Sequence, residues 1–232
     1  MQKQFLWRIL PALLLPLLVL FVAYDPVFAE SSSARREAYP LKSVVKLKMA
    51  LERPERLKEE PAERVIDSFG VKKGEYIADI GAGTGYYAFR LAEKVGVEGK
   101  VYAVEIQDEL LAYFRDNINK RGVENIVLVK SSESAPNLPS ESFDKILVAN
   151  SYYYFSDPVK FMINLRKALK PGGVVAIIDL DAAKKKKFRY KVLSISEIID
   201  EMKQAGFNFL KSYDYLDINF FLIFTAAERQ SL

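Results

Sequence analysis

A run of closely spaced glycines is the feature of this chain best suited to holding a small molecule: Gly81-Ala82-Gly83-Thr84-Gly85. Glycine has no Cβ, so the backbone can approach a ligand closely and can take a positive φ at little cost. Asp79 lies just before the run, and Glu105 lies twenty residues beyond its end. A carboxylate at that distance is well placed to accept hydrogen bonds from ribose hydroxyls. The pattern predicts a nucleotide-type site.

The elements around this run must bring the two carboxylates together. From residue 75 onward, predicted strands and helices alternate, which is typical of a parallel sheet with crossover helices. We expect strands at 76–80, 100–105, 126–130, 143–149, 173–179, 207–215 and 219–225. We expect helices at 86–95, 108–121 and 158–170, and a further helix with a capping box formed by Ser194 and Glu197. Ligands of such sheets bind beyond the carboxyl ends of the strands.

The spacing of the glycines distinguishes between two classes of cofactor that such a turn could bind. The dinucleotide fingerprint is Gly-x-Gly-x-x-Gly and places a pyrophosphate at a helix N-terminus. This chain has Gly-x-Gly-x-Gly after an aspartate, which suits a cationic amino-acid tail better. The stretch from Asp79 to Gly85 resembles motif I of class I S-adenosylmethionine-dependent methyltransferases, and Glu105 resembles their ribose-binding acid. The other interpretation is a tight strand-to-helix turn of another α/β protein.

The resemblance implies a role for each residue of the site. Asp79 would orient the methionine end of S-adenosylmethionine, and the glycine backbone would lie along it. Glu105 would accept from both ribose hydroxyls, and Ile106 would pack on adenine. The residues implied to bind the cofactor are Asp79, Gly81, Ala82, Gly83, Thr84, Gly85, Glu105, Ile106, Ser131, Ser132 and Asn150.

Two further segments support the resemblance at the level of the fold. Lys170-Pro171-Gly172-Gly173 resembles the segment before the fifth strand of class I methyltransferases, and we expect it to end the preceding helix. The two last predicted strands are joined by a short polar turn and should form an antiparallel hairpin. The expected fold is therefore α/β, a three-layer Rossmann-like sandwich with a seven-stranded, mostly parallel sheet and a C-terminal antiparallel β-hairpin.

The chain departs from the family pattern at two places. Ser131 and Ser132 occupy the position where an adenine-contacting aspartate is usual. The segment that begins at Asn150 resembles the family pattern Asp-x-x-His-His-Phe, with Tyr153 and Tyr154 where the histidines would be. These two tyrosines are the candidate catalytic residues, because aromatic rings can line a pocket over a sulfonium. The alternative is that two of the three tyrosines at 152–154 pack between the sheet and a helix.

Composition excludes several kinds of chemistry. The chain of 232 residues has no cysteine and no histidine, so disulfides, Cys/His zinc sites, cysteine nucleophiles and Ser-His-Asp triads are absent. A general base must be a carboxylate, a tyrosine, a lysine or water, and we expect no metal. The formal net charge of +4 is too small to indicate a nucleic-acid partner.

The N-terminus predicts a separate unit. Lys3 and Arg8 precede an apolar run over 9–24 that is followed by Val27-Phe28-Ala29, which is typical of a secretory signal cleaved after Ala29. An uncleaved membrane anchor is the alternative, and both interpretations predict an exported domain with possible membrane association through residues 1–29. Residues 30–40 predict a linker. Residues 41–232 predict the methyltransferase domain, with an N-terminal helical cap.

In the family that the chain resembles, this cap would lie over the ligand, so Tyr39, Arg53 and Arg56 are candidates for contact with substrate or cofactor. The favoured interpretation is that they are residues of the helix surface. For the whole chain, the predicted function is methyl transfer from S-adenosylmethionine to an unidentified small-molecule acceptor. A degenerate, non-catalytic module that binds the cofactor or a related nucleoside is the alternative. A nicotinamide-dependent reductase is disfavoured by the glycine spacing.

Overall fold

A computed structural model describes residues 48–49, 51–181, 183–184 and 193–227, and every structural statement below concerns these residues. The predicted signal or anchor at 1–29 and the predicted linker at 30–40 lie outside them and stay predictions. Within the described part, no helix is both long enough and apolar enough to cross a membrane. Lys48, Met49 and Leu51 are helical, and the predicted cap as a whole stays a prediction.

The described elements follow the predicted alternation. The strands are β1 (Tyr76–Ile80), β2 (Lys100–Glu105), β3 (Ile126–Lys130), β4 (Phe143–Ala149), β5 (Leu169–Leu180), β6 (Phe207–Tyr213) and β7 (Asn219–Ala226). The helices are α1 (Arg56–Glu59), α2 (Ala62–Phe69), α3 (Ala88–Val95), α4 (Asp108–Arg121), α5 (Pro158–Arg166) and α6 (Ile195–Gln204). A short 3₁₀ helix, Tyr152–Tyr154, follows β4.

The seven strands form one sheet in the order β3-β2-β1-β4-β5-β7-β6. β1 to β5 pair in parallel, whereas β7 runs antiparallel to both β5 and β6. The predicted fold class, including the terminal hairpin, is confirmed. The strand order reverses between β1 and β4, so the crevice that such sheets offer to ligands lies at the carboxyl ends of these two strands.

Two apolar layers hold the helices on opposite faces of the sheet. One layer packs α2, α3 and Phe114 of α4 against side chains such as Ile77. The other packs α5 and α6 against side chains such as Ala78. Successive residues of β1 thus point to opposite faces, as the twofold period of a strand requires. The central strands β1 and β4 are buried on both sides, and the polar groups at their carboxyl ends are positioned by this packing.

The predicted helix caps are present. Asp157 accepts a hydrogen bond from the backbone N–H of Lys160 at 3.0 Å, with Pro158 in the first turn of α5. Ser194 and Glu197 form the predicted capping box of α6.

Several predicted boundaries are wrong. The helix expected at 158–170 ends at Arg166, and Lys170 to Gly173 belong to β5 rather than to a turn before it. The pairing of β4 with β5 shifts register between Phe143 and Lys145, and Gly172 takes a φ of 77°. Proline and glycine are tolerated in a strand at such an irregularity. α3 begins at Ala88 rather than 86, because residues 83–87 form turns, and β6 ends at Tyr213 rather than 215.

Candidate active site

The glycine run forms a tight turn at the carboxyl end of β1. Gly81, Gly83 and Gly85 have φ values of 70°, 57° and 92°, the left-handed region that favours glycine. The backbone N–H groups of Gly81 and Ala82 both donate to the Val104 carbonyl of β2, at 2.8 and 3.0 Å. The turn is therefore attached to the neighbouring strand as well as to its own.

Packing explains two of the three glycines. A Cβ at Gly81 would lie 2.1 Å from Ser151 Oγ, and one at Gly85 would lie 2.7 Å from the rings of Phe89 and Phe114. A Cβ at Gly83 would meet a methyl group of Leu51 at 2.9 Å, on the side of the turn that lines the cleft described below. Gly81 and Gly85 thus serve close packing within the protein, whereas the Cβ position of Gly83 is closed by one flexible side chain, Leu51, which also lines the cleft.

We expect Gly81→Ala to destabilise the protein by about 2–5 kcal/mol, because left-handed backbone costs an L-residue about 1–2 kcal/mol and overpacking adds about 1–3 kcal/mol. Gly70 has the same φ of 70° and nothing within 4 Å of its Cβ position, so Gly70→Ala is the matched control and isolates the backbone cost. Urea unfolding measures both. Adding Ser151→Gly to Gly81→Ala should restore only the part of the unfolding free energy that overpacking removes. If Gly81→Ala and Gly70→Ala lose the same unfolding free energy, the packing argument is contradicted.

Glu105, the predicted ribose acid, is buried at the end of β2. Its Oε2 accepts from Gly83 N–H at 3.1 Å, and its Oε1 accepts from the N–H groups of Ile106 and Gln107 at 2.8 and 3.0 Å. Burial raises the pKa of Glu105, and these three N–H donors act in the opposite direction. The Glu105 side chain therefore connects the carboxyl end of β2 with the glycine turn, and this structural role is independent of ligand binding.

Asp79 is a buried carboxylate with spare hydrogen-bonding capacity. Its side chain is 2% exposed, and its Oδ2 has no hydrogen-bond partner among the described residues. Burial raises the pKa of Asp79 to about 7; Arg56 lowers it and Glu105 raises it further. A buried acceptor without a partner costs free energy. A cationic hydrogen-bond donor from a ligand would remove that cost.

A cleft opens over Asp79 and the glycine turn. Its empty volume is about 330 Å³. It is lined by Leu51, Arg56, Asp79, Gly81, Ala82, Gly83, Tyr86, Tyr87, Ala149 and Asn150. These residues come from the carboxyl ends of β1 and β4, from the segment before α3 and from the N-terminal cap. The cleft thus lies at the reversal of strand order, where open α/β sheets bind ligands.

The favoured interpretation of Arg56 as a surface residue is wrong, because the structure buries this side chain in the lining of the cleft. It is only 8% exposed, and its guanidinium lies 3.8 Å from the ring centroid of Tyr86. It donates to Glu60 Oε1 and to the Leu51 carbonyl, both at 3.2 Å. Nothing in the spacing around α1 indicates that this short helix turns an arginine inward. The only sequence signal is the i,i+4 pairing of Arg56 with Glu60.

Asn150 contributes to the wall of the cleft through side-chain contacts. It has a φ of 54°, a conformation that asparagine tolerates better than most residues. Its Nδ2 donates to Glu60 Oε2 at 2.7 Å, and its Oδ1 accepts from Asn219 Nδ2 at 2.8 Å. A buried polar chain therefore runs from the start of β7 through the end of β4 to Arg56. Asn150 is among the residues predicted from the sequence, whereas Glu60 and Asn219 are not.

The other predicted cofactor residues lie at the ends of β2 and β3, outside the lining of the cleft. Ile106 is 41% exposed, as a residue that packs on adenine would be before the ligand binds. Ser131 N–H donates to the Glu105 carbonyl at 3.0 Å, and Ser132 Oγ accepts from Ala135 N–H at 3.0 Å. Both serines thus stabilise the loop after β3, and their contact with adenine stays a prediction, as does the contact of Thr84, which is buried in the turn.

The tyrosines after β4 divide between packing and exposure. Tyr152 is fully buried and donates to Glu201 Oε2 at 2.9 Å, which agrees with the packing alternative. The backbone N–H of Tyr153 donates to Asp179 Oδ2 at 3.1 Å, and the Tyr154 side chain is 47% exposed. Neither Tyr153 nor Tyr154 lines the cleft over Asp79. Their catalytic role stays a prediction.

The residues present fit S-adenosylmethionine. Asp79 Oδ2 is an acceptor without a partner, Gly83 lines the cleft without a side chain of its own, and Glu105 is hydrogen-bonded to Gly83. A pyrophosphate would face the buried carboxylate of Asp79. No group of three or more acidic side chains that could hold a metal ion occurs in the described part of the chain.

The fold and the site together define the class of S-adenosylmethionine-dependent methyltransferases. Comparison with protein families matches residues 71–214 to the family described as "Methyltransferase domain". The chain belongs to this methyltransferase family, and its cofactor is S-adenosylmethionine.

Solved and curated relatives agree with this assignment. The solved structure of an S-adenosylmethionine-dependent methyltransferase from Aquifex aeolicus has 30% sequence identity to this chain and a TM-score of 0.74. The match covers 80% of this chain and 100% of that one. The ubiquinone/menaquinone biosynthesis C-methyltransferase UbiE of Idiomarina loihiensis is 30% identical, over 65% of this chain and 61% of UbiE. The aklanonic acid methyltransferase DauC of Streptomyces sp. (strain C5) is 32% identical, over 49% of this chain and 51% of DauC. The chain thus spans between half and two thirds of these curated relatives.

Proposed function

We propose that this protein transfers a methyl group from S-adenosylmethionine to a small organic acceptor. The observation that carries the proposal is the unpartnered Asp79 carboxylate oxygen, which lies on a cleft at the reversal of strand order in a chain of this family. A buried acceptor without a partner is unfavourable in the ligand-free protein, and a ligand that donates to it removes that cost.

The chain's own residues supply binding and orientation. Bound S-adenosylmethionine would supply an electrophilic methyl group on its sulfonium. The sulfur leaves as a neutral thioether, which is a very good leaving group. Asp79 would hold the ammonium, and Glu105 would accept from the ribose hydroxyls. Leu51 of the cap lies over the turn at Gly83 and shields it from water. Holding the acceptor in line with the methyl group can supply about 7–11 kcal/mol of the barrier, so a strong base is not required. The absence of histidine is compatible with this chemistry.

The proposed acceptor class follows from the relatives. The name of UbiE refers to the biosynthesis of quinones, and that of DauC refers to aklanonic acid. Quinones and aklanonic acid are small organic molecules. The modest net charge of this chain also favours a small molecule over a nucleic acid. We therefore propose a small organic acceptor and assign no particular one.

A non-catalytic cofactor-binding module is the second candidate. It is favoured by one observation, namely that neither Tyr153 nor Tyr154 lines the described cleft. In that case the chain would bind S-adenosylmethionine or its demethylated product, S-adenosylhomocysteine, without turnover.

Two measurements on the purified chain test the proposal. Isothermal titration calorimetry should show binding of S-adenosylhomocysteine and none of NAD⁺. Incubation with methyl-labelled S-adenosylmethionine and a small-molecule extract, supplemented with hydroquinones and aklanonic acid, should move label into a small molecule. Binding without any label transfer would favour the non-catalytic module, and absence of binding would contradict both candidates.

A further inference from the structure

We propose that this protein does not select for the amino group at position 6 of the cofactor's purine, so that 6-oxopurine forms of the cofactor also bind. The inference rests on the proposed function, because it takes the ligand to run from Asp79 past Glu105. It concerns the base at the far end of that ligand, outside the cleft over Asp79.

The order of the strands places the base at the carboxyl ends of β2 and β3. β2 pairs with β1 on one side and with β3 on the other, and neighbouring strands are about 4.8 Å apart. A ligand that runs from Asp79 of β1 across the Glu105 carboxylate at the end of β2 therefore carries its base towards β3. Ile106, which is 41% exposed, offers apolar surface to a purine there. Ser131 follows β3 directly, so it is the first residue beside the edge of the base.

The backbone donors that follow β3 are already used within the protein. Ser131 N–H donates to the Glu105 carbonyl and Ser132 N–H donates to the Ala135 carbonyl, both at 3.0 Å. Adenine donates from its 6-amino group and accepts at N1, whereas a 6-oxopurine accepts at O6 and donates from N1. Because neither N–H group is available to donate to N1 of adenine, these two backbone groups do not distinguish the two bases.

The side chains of the same two serines differ in how they are used. Ser132 Oγ accepts from Ala135 N–H at 3.0 Å and donates to the Ala135 carbonyl at 3.3 Å. The Ser131 hydroxyl takes part in none of these bonds. A hydroxyl rotates and can either donate or accept. The Ser131 hydroxyl can therefore accept from a 6-amino group and donate to a 6-oxo group.

The carboxylates near the end of β3 are exposed to water. Asp108 is paired with Lys130 at 2.7 Å and its side chain is 82% exposed, and Glu133 is exposed as well. Contacts of exposed charges are weakened by solvent and salt. Strong selection for an amino group requires a buried acceptor that the wrong base leaves unpaired. None of residues 126–142, all of which the structure describes, has a buried polar side chain.

Two ligands that differ only at this edge of the base give the test. S-adenosylhomocysteine carries adenine, and S-inosylhomocysteine carries a 6-oxopurine. Isothermal titration calorimetry on the wild type should give dissociation constants within about tenfold of each other, whereas a site built to hydrogen-bond one group rejects its analogue by about 10⁴-fold. Ser131→Asp introduces a group that only accepts when it is ionised. This variant should weaken S-inosylhomocysteine about 10- to 100-fold relative to S-adenosylhomocysteine.

The matched control is Ser134→Asp, which adds the same charge to the same loop at an exposed residue. Its ratio of the two dissociation constants should equal that of the wild type. Ser131→Ala removes only the hydroxyl, so it tests the proposal even where Ser131→Asp fails to fold, as judged by circular dichroism. Ser131→Ala should weaken both ligands by the same factor, about 2- to 10-fold, because the hydroxyl serves either base.

The outcomes separate this inference from the proposed function. Wild-type protein that binds neither ligand would contradict the proposed function and the inference with it. A wild type that binds S-adenosylhomocysteine more than about tenfold tighter than S-inosylhomocysteine would overturn only the inference. A loss confined to S-adenosylhomocysteine in Ser131→Ala, or the same ratio in Ser131→Asp as in Ser134→Asp, would also overturn it, because the Ser131 hydroxyl would then not serve both bases.

Discussion

Asp79→Asn is expected to weaken S-adenosylhomocysteine binding about 10- to 100-fold, the effect of losing a hydrogen bond to a charged group, while making the ligand-free protein more stable. Both effects have one cause, the burial of a carboxylate of which one oxygen, Oδ2, has no hydrogen-bond partner among the described residues. An amide keeps the shape and one acceptor but has no charge to desolvate. Stability and binding should therefore change in opposite directions.

The pH dependence of that stability follows from the sign of the pKa change. The pKa of Asp79 is raised from 3.8 to about 7 by folding. The stability associated with the protonated group is therefore fully present below pH 3.8 and is lost as pH rises through about 7. At about 1.4 kcal/mol per pH unit, the loss is about 4 kcal/mol at pH 8. Asp79→Asn should be more stable than wild type by about that amount at pH 8 and by little at pH 4, as measured by urea unfolding.

Cofactor binding should have the opposite dependence on pH. The ammonium of the ligand requires ionised Asp79, so the wild-type affinity for S-adenosylhomocysteine should rise about tenfold from pH 6 to pH 8. The charged groups that act on Asp79 are Arg56, Glu105 and Glu60. All three remain in Asp79→Asn, so the difference between the two proteins isolates Asp79. An equally steep pH dependence of binding in the variant would show that another group is responsible.

Gly83→Arg is expected to abolish measurable cofactor binding. The Cβ position of Gly83 borders the cleft and is already 2.9 Å from a methyl group of Leu51, so a long side chain must enter the space that the ligand needs. The backbone cost of a non-glycine residue at its φ of 57° is also present, at about 1–2 kcal/mol. Isothermal titration calorimetry with S-adenosylhomocysteine measures the binding.

Gly172→Arg is the matched control for that variant. Gly172 has a φ of 77°, it is exposed in β5, and nothing lies within 4 Å of its Cβ position. It therefore carries the same kind of backbone cost without blocking the cleft, and it should bind as the wild type does. Retention of binding in a folded Gly83→Arg would mean that the cofactor does not pass over the turn. Equal loss in both variants would mean that instability, rather than blockage, causes it.

Those features of the site that depend on neighbouring residues could be predicted from the sequence. Asp79 and the glycine turn follow β1 directly, and Glu105 ends the next strand, where the parallel register of β1 and β2 brings it next to the turn. The alternation of strands and helices and the terminal hairpin were predictable for the same reason. Each depends on local periodicity, on turn residues and on the short connections of a parallel sheet.

Features that depend on contacts distant in sequence could not be predicted. Glu60 and Asn150 are ninety residues apart, and Asn219 is sixty-nine residues beyond Asn150, yet their side chains form one hydrogen-bonded chain. The burial of Arg56 depends on the same contacts. The end of α5 at Arg166 depends on the pairing of Leu169 with Phe143, because that pairing draws the following residues into β5.

The sequence by itself thus determined the class of fold, the glycine turn and the two carboxylates beside it, because these are encoded in spacing along one continuous stretch. Only the tertiary structure decided that Asp79 has a free oxygen, that Arg56 and Tyr87 line the same cleft, and that the candidate tyrosines after β4 do not. The physical reason is that burial and the presence of a hydrogen-bond partner depend on which segments meet at the carboxyl edge of the sheet.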